Sequence, residues 1–346
     1  MALQSPSLPE TISASLGDPD GLRTVFERWL STRQMGAAVA SARLTAHNTV
    51  LVDAGWDGQP RRLVVHLASE SDWSPQLEAR WQFLTLQRLG TQLVRAAVPP
   101  VLWCEDDPGP LGVPFFVMSR LDGLTTAKYE TPYTFASWIT EASAAERAHL
   151  QRSTLEQLAR VHSAVPSDFA FLDRRRRGES ALSAHLRQTA QRYEAVSDRG
   201  LRAPLIERGL LWLREHWPEE SGPVLCWGDA RIDNVTFRDF AAVALTGWRH
   251  ATLGPREMDL GAMVFHHRFA DDLARAAGRR GLPDFLRPPD VVGTYNEITG
   301  FLPAQLDFYV TYAAVGHAID ALRSQLRTSA FKTLTDLLDA EPTGES

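Results

Sequence analysis

Two side chains in this chain stand at the spacing that phosphoryl transfer uses. Asp229 follows the apolar run Val224-Leu225-Cys226 and Gly228, and Asn234 comes five residues after it. In a D-x-x-x-x-N arrangement the carboxylate accepts the proton of an attacking hydroxyl, while the asparagine holds a magnesium ion against the phosphates. Val224, Leu225 and Cys226 read as a short buried strand, and Gly228 lets the chain turn so that Asp229 is presented. A hairpin then leads to a second strand, whose end should carry a third acid to anchor the metal. That end reads Thr246-Gly247-Trp248 and holds no carboxylate.

The stretch 224–260, VLCWGDARIDNVTFRDFAAVALTGWRHATLGPREMDL, resembles the Brenner-type loop of the aminoglycoside phosphotransferase and choline kinase family. The usual form there is H-G-D-x-x-x-x-N followed by a strand ending in D-W. Trp227-Gly228-Asp229 matches H-G-D apart from its first residue, Asn234 matches the asparagine, and Trp248 falls on the tryptophan of D-W. The resemblance implies that Asp229 is the catalytic base, that Asn234 is a metal ligand, and that Gly247 stands where the main metal-binding aspartate should be. It also implies that Asp259, in Leu253-Gly254-Pro255-Arg256-Glu257-Met258-Asp259-Leu260, buttresses the loop.

The same resemblance extends over nearly the whole chain and sets the fold expectation: α+β, bilobal and protein-kinase-like. Residues 21–118 should form a small lobe on an antiparallel sheet, 119–123 a hinge, and 124–346 a larger, mainly helical lobe. ATP and magnesium are the implied cofactors, and a small-molecule ligand in the cleft between the lobes is the implied partner. Gly112 to Met118 looks like the last strand of the small lobe, and Ser119-Arg120-Leu121-Asp122-Gly123 like the hinge behind it. Met118 and Arg120 thereby become adenine-side positions. Leu158-Ala159-Arg160-Val161-His162 resembles the helix that packs under the catalytic loop, with His162 as a packing residue.

The amino-terminal lobe departs from the pattern. A phosphate-cradling loop needs glycines, because only backbone without Cβ can approach the phosphates closely. The candidate segment is Thr45-Ala46-His47-Asn48-Thr49-Val50, where Asn48 is the cofactor-side position and no glycine occurs. The strand Leu63-Val64-Val65-His66 places His66 where the family carries the cation that pairs the phosphates. A histidine is largely neutral at pH 7 and cannot replace a fixed charge. A register shift would instead leave Arg61 or Arg62 as the nearest cation. Glu78, in the helical run 76–89, matches the acid that orients that cation.

These departures fall on one task, which is holding Mg-ATP. The favoured expectation is a phosphotransferase-fold protein with a degraded Mg-ATP site that binds a small molecule or has been put to another use. The alternative is an active ATP-dependent O-phosphotransferase acting on a hydroxylated metabolite, with Asp233 or Asp239 supplying the missing carboxylate. Adjacent residues such as Asp233 and Asn234 seldom point into one coordination sphere.

Other features carry less. The 346 residues are 44% apolar with a net charge of −6, which suits a globular protein and argues against nucleic acid or an anionic membrane as partner. The two cysteines, Cys104 and Cys226, have no metal-ligand spacing and are expected as free thiols in a reducing cytoplasm. Cys226 is expected in the core. No leader is apparent, and the first 20 residues read as a loose arm before a helix over 22–30. Arg174 to Arg177 form a solvated loop or an anion clamp. His266 and His267, being adjacent on a helix, diverge by about 100° and do not suggest a metal. Trp73, Trp81 and Trp103 are expected to pack. Tyr295, Phe301, Phe308, Tyr309 and Tyr312 are the aromatics best placed to line an acceptor pocket, with packing as the commoner role. Oligomeric state and substrate are left open.

Overall fold

The computed structural model describes residues 18–45, 48–68, 75–92, 98–126, 131–322 and 327–340. The expected arm up to residue 17, positions 46 and 47 of the expected phosphate loop, and Trp73 lie outside them. The described residues divide into two compact units, one ending at Asp122 and the other starting at Gly123.

The first unit opens with α1 (Pro19–Arg33). Asp18 accepts the N–H groups of Asp20 and Gly21 at 3.2 and 3.0 Å, and Pro19 occupies the first turn, where no N–H is needed. The helix therefore starts earlier than the 22–30 run, and Pro19 and Asp20 belong to it rather than to an arm. Leu22, Phe26, Trp29 and Leu30 recur on one face and are buried. They pack on a five-stranded antiparallel sheet made of β1 (Ala38–Leu44), β2 (Thr49–Trp56), β3 (Gln59–Leu67), β4 (Val101–Glu105) and β5 (Phe115–Ser119). The strand order is β1-β2-β3-β5-β4.

Alternation builds the buried face of this sheet, since Leu63, Val65 and Leu67 are buried while Val64 and His66 are only half-buried. Asp57 and Gly58 both take positive φ, 54° and 70°, so a tight two-residue turn joins β2 to β3. Trp29 meets Phe115 with ring centroids 5.0 Å apart, and Trp103 packs between Trp29 and Trp56 at 5.8 and 5.9 Å. The helical run expected over 76–89 is α2 (Pro75–Gln92).

The second unit is mainly helical: α3 (Trp138–Glu141), α4 (Ala144–His162), α5 (Ala181–Ser197), α6 (Pro204–Glu215), α7 (Glu257–Ala276), α8 (Pro288–Thr299), α9 (Leu306–Ala321) and α10 (Arg327–Asp339). A capping box starts α4, with Ser143 and Glu146 each satisfying the other's backbone N–H. The apolar helix α9 packs against α6, α7 and α10. Burial of Phe308, Tyr309, Val310, Ala314, Val315 and Ile319 explains why its sequence lacks a polar stripe.

Between α6 and α7 lie two antiparallel pairs, β6 (Val224–Cys226) with β9 (Thr252–Gly254) and β7 (Val235–Arg238) with β8 (Ala241–Leu245). Leu124 exchanges both backbone hydrogen bonds with Phe237 at 2.7 and 2.8 Å, which brings Thr126 beside the loop before β7. Among the described residues no helix is long and apolar enough to cross a membrane.

Candidate functional site

The loop that presents Asp229 is held from beneath by Asp259, in the first turn of α7. The Asp259 carboxylate accepts the backbone N–H of Trp227 at 2.6 Å and of Gly228 at 2.8 Å, and it meets His162 Nε2 at 3.0 Å. The other ring nitrogen of His162 lies 2.7 Å from the Tyr295 hydroxyl, so both nitrogens of this buried imidazole are engaged. Gly228 sits at φ +83°, and a Cβ there would lie 1.9 Å from the His250 carbonyl oxygen. Only glycine allows that approach. Trp227, where the resemblance expects histidine, is fully buried and donates its indole N–H to the Thr246 carbonyl at 2.7 Å. That bond ties the loop to the end of β8.

Asp229 and Asn234 are brought together, and so is Gly247. Asn234 Nδ2 donates to Asp229 Oδ2 at 2.7 Å and to the Asp229 carbonyl at 3.0 Å. Gly247 has φ +75°, and a Cβ on it would stand 2.7 Å from Asn234 Nδ2. The Asn234 amide thus lies against the position where the third carboxylate was expected.

Arg231 completes the arrangement. Its Nε donates to Asp229 Oδ1 at 2.7 Å and its Nη2 to Oδ2 at 2.8 Å, a two-point ion pair. Burial works to raise the Asp229 pKa, but the Arg231 charge and hydrogen bonds, with smaller help from His250 and His266, hold it at about 2. The carboxylate is therefore held ionised and accepts three side-chain hydrogen bonds. Sequence reasoning missed Arg231. Its signal was position, two residues past Asp229 inside the D-x-x-x-x-N gap.

The alternative carboxylates are placed elsewhere. Asp233 Oδ1 accepts the Thr126 hydroxyl at 2.7 Å, and burial raises its pKa. Asp239 sits at φ +50° in the exposed turn between β7 and β8. Of the loop's two carboxylates, then, Asp229 is enclosed by Arg231 and Asn234 and Asp233 is joined to Thr126. For a magnesium ion the loop offers the Asn234 amide oxygen without a carboxylate at Gly247.

Three histidines gather round the Asp229–Arg231 pair. His250 follows Gly247, His266 comes from α7 and His317 from α9, with the His266 and His317 ring centroids 5.8 Å apart. Burial, then the charge on Arg231, holds His266 well below its ordinary pKa. Burial likewise brings His317 down to about 4 despite the opposing pull of Asp320. His267, by contrast, faces the core, where its nitrogens lie 2.7 Å from the Tyr133 hydroxyl and 3.1 Å from the Leu282 carbonyl.

In the other unit, His66 pairs across the sheet with Thr49 and Phe116, and its ring lies 5.2 Å from that of Phe116. Glu78 is buried on α2, with Gln82 Nε2 3.3 Å from its Oε1. Asn48 takes φ +50° at the turn between β1 and β2, where Thr45 N–H meets the Thr49 carbonyl at 2.7 Å. Met118 lies between Val64 and Val101 in the sheet. The Arg120 N–H donates to the Arg62 carbonyl at 2.8 Å and its guanidinium to Asp53 at 3.0 Å. Arg62 itself is paired with Asp122, and Arg61 lies over the Trp56 ring.

Several secondary expectations resolve into packing. Tyr295, Phe308 and Tyr309 are buried, and the Tyr312 hydroxyl lies 3.2 Å from that of Thr189. Phe301 lies under Arg256 at 4.2 Å. Arg175 is held by Asp173, while Arg176 and Arg177 are exposed. His162, Cys226 and Asp259 are the one trio among the described residues with ligating atoms within 4.8 Å of one another. Each already has partners, however, since the Cys226 thiol contacts the Gly254 and Pro255 carbonyls at 3.4 Å and burial pushes its pKa well up.

Solved structures share this architecture. A candidate aminoglycoside phosphotransferase from Ralstonia eutropha JMP134 aligns with a TM-score of 0.67 at 16% identity, over 91% of this chain and 95% of that one. A thermostable mutant of aminoglycoside phosphotransferase APH(4)-Ia, in complex with ADP and hygromycin B, aligns at 0.61 and 11% identity, over 92% and 99%. Macrolide 2'-phosphotransferase MphH from Brachybacterium faecium aligns at 0.56 and 18%, over 90% and 97%. At these identities the likeness is one of fold. The sequence profile of the phosphotransferase enzyme family matches residues 45–289, well over half of the chain. With the catalytic-type loop, its Asp259 buttress and the architecture all in agreement, the chain belongs to the phosphotransferase enzyme family.

Proposed function

We propose that this family member binds a small molecule beside Asp229 and does not transfer phosphate efficiently from Mg-ATP. The observation that carries this reading is the enclosure of Asp229. Its oxygens accept Arg231 and Asn234, so a guanidinium already supplies the positive charge that a metal would bring. Gly247 contributes no carboxylate, and the Asn234 amide lies against it. A metal anchor supplies several kcal/mol of transition-state stabilisation in phosphoryl transfer, and a general base roughly 10²–10⁴ in rate. Both contributions are weakened at the same place.

The test is thermal unfolding with millimolar ATP, with and without magnesium. A ligand at a hundredfold excess over its dissociation constant stabilises the fold by about 2.7 kcal/mol, which raises the melting temperature of a chain this size by several degrees. The expected shift is close to zero. A clear magnesium-dependent shift would overturn the proposal in favour of an active O-phosphotransferase with Asp229 as base.

A further inference from the structure

Around Asp229 the helical unit holds hydrogen-bonding capacity that the described residues do not use. Arg231 gives Nε and Nη2 to Asp229, and its Nη1 has no partner among the described residues. The rings of His250 and His266 likewise make no hydrogen bond there. Nε2 of His317 is buried and has no hydrogen-bond partner among the described residues. A buried polar nitrogen without a partner is costly and calls for an explanation. It sits among Phe265 and Phe269, whose ring centroids lie 5.4 and 4.5 Å from its own, in surroundings that strengthen any hydrogen bond it makes.

The acceptors nearby are already engaged. Asp229 is taken by Arg231 and Asn234, and Asp320 is paired with Arg192. A cationic ligand would compete with arginines already in place, whereas an acceptor-rich ligand would meet the unused Nη1 of Arg231 and the one N–H that each neutral imidazole carries. On these grounds, and resting on the proposed ligand role of the same site, we infer that the helical unit binds a small molecule through an oxyanion, a phosphate or a carboxylate, held by Arg231, His266 and His317. Asp229 then acts as the group that orients Arg231 and sets its unused edge toward the ligand.

The experiment is a calorimetric titration of the full chain with inorganic phosphate, without nucleotide or magnesium and at matched ionic strength. Acetate and malonate form parallel arms that separate a phosphate site from a carboxylate site. Millimolar or tighter one-to-one binding of at least one of these anions is expected. His317→Phe fits among the flanking phenylalanines and removes the orphan nitrogen, so it should raise the melting temperature of the free protein while weakening anion binding about tenfold. A purely structural role for His317 would not move the two readouts in opposite directions. His266→Gln, on the half-buried ring, gives a second variant that should also weaken binding. The inference is overturned if none of the three anions binds, or if binding occurs and both folded variants bind as tightly as the parent, which would show an adventitious ion elsewhere. Because no nucleotide is present, that failure is separate from the outcome of the Mg-ATP test.

Discussion

Two aspartates of the candidate site, Asp259 and Asp229, have opposite surroundings. Asp259 is 1% exposed and accepts two backbone N–H groups at 2.6 and 2.8 Å, with His162 as its third partner. These bonds tie the catalytic-type loop to the first turn of α7. Asp229, the residue that loop displays, is enclosed by Arg231 and Asn234, opposite a glycine that carries no ligand. The loop rests on buried hydrogen bonds, while the aspartate it displays is paired with a guanidinium. The two depend on different physics: buried, mutually satisfied hydrogen bonds hold the loop, whereas metal chemistry needs oxygen ligands left unsatisfied by the protein.

That contrast can be broken by mutation. The largest effect is expected for Asp259→Asn, which sets an amide N–H₂ against groups that are themselves donors. Leaving buried donors unpaired costs about 1–3 kcal/mol each, so a loss of about 3 kcal/mol or more should appear in urea unfolding. A loss below about 1 kcal/mol would mean that the loop is held by something other than Asp259.

A smaller effect concerns acid stability. The Asp229 pKa is depressed from its ordinary value to about 2, so its contribution is present above the unfolded value and is lost as pH falls from about 4 toward 2. That contribution is about 2 kcal/mol. Arg231→Gln removes the main lowering influence and leaves the burial that opposes it. In that variant the carboxyl should titrate at or above the ordinary aspartate value, as read by carbon-13 NMR of the Asp229 carboxyl. A titration still near pH 2 would show that Arg231 does not hold the group.

The smallest effect sharpens the metal side of the comparison. Gly247→Asp places a side chain at φ +75°, at a cost of roughly 1–2 kcal/mol. Its Cβ must also displace the Asn234 amide, now 2.7 Å away. The expected result is a modest loss of stability in chelator, partly recovered on adding magnesium. If magnesium leaves the variant's stability unchanged, Gly247 is not the vacated metal position.

Which residues of the candidate site lie together was legible where their spacing is local. Asp229 and Asn234 come together across five residues of chain, and the strand Val224–Cys226, the turn at Gly228 and the buttress at Asp259 follow in an order that a sequence displays directly. The helix limits were less clear. Pro19 and Asp20 looked like part of a loose arm, although Asp18 and Pro19 form an N-terminal cap and first turn. Arg231 was visible but silent, since its direction depends on the 3-10 turn over Ile232–Asn234 that follows it. Asp233 was weighed as a metal ligand, and that same turn lets it join Thr126, a residue over a hundred positions earlier in the chain.

The motifs and their order, through the family resemblance they carry, gave the family, the antiparallel sheet, the helical unit and Gly247 as the expected carboxylate position, and local apolar runs gave the helix before the sheet. Those features depend on neighbours within a few residues or on repeated alternation, which the one-dimensional order preserves. Only the tertiary structure decided that Arg231 pairs with Asp229, and that His250, His266 and His317 gather around the pair from a 3-10 turn and two helices. An ion pair and a cluster of imidazoles depend on distances of a few ångströms between side chains, set for the pair by the turn that follows Arg231 and for His266 and His317 by how α7 and α9 pack.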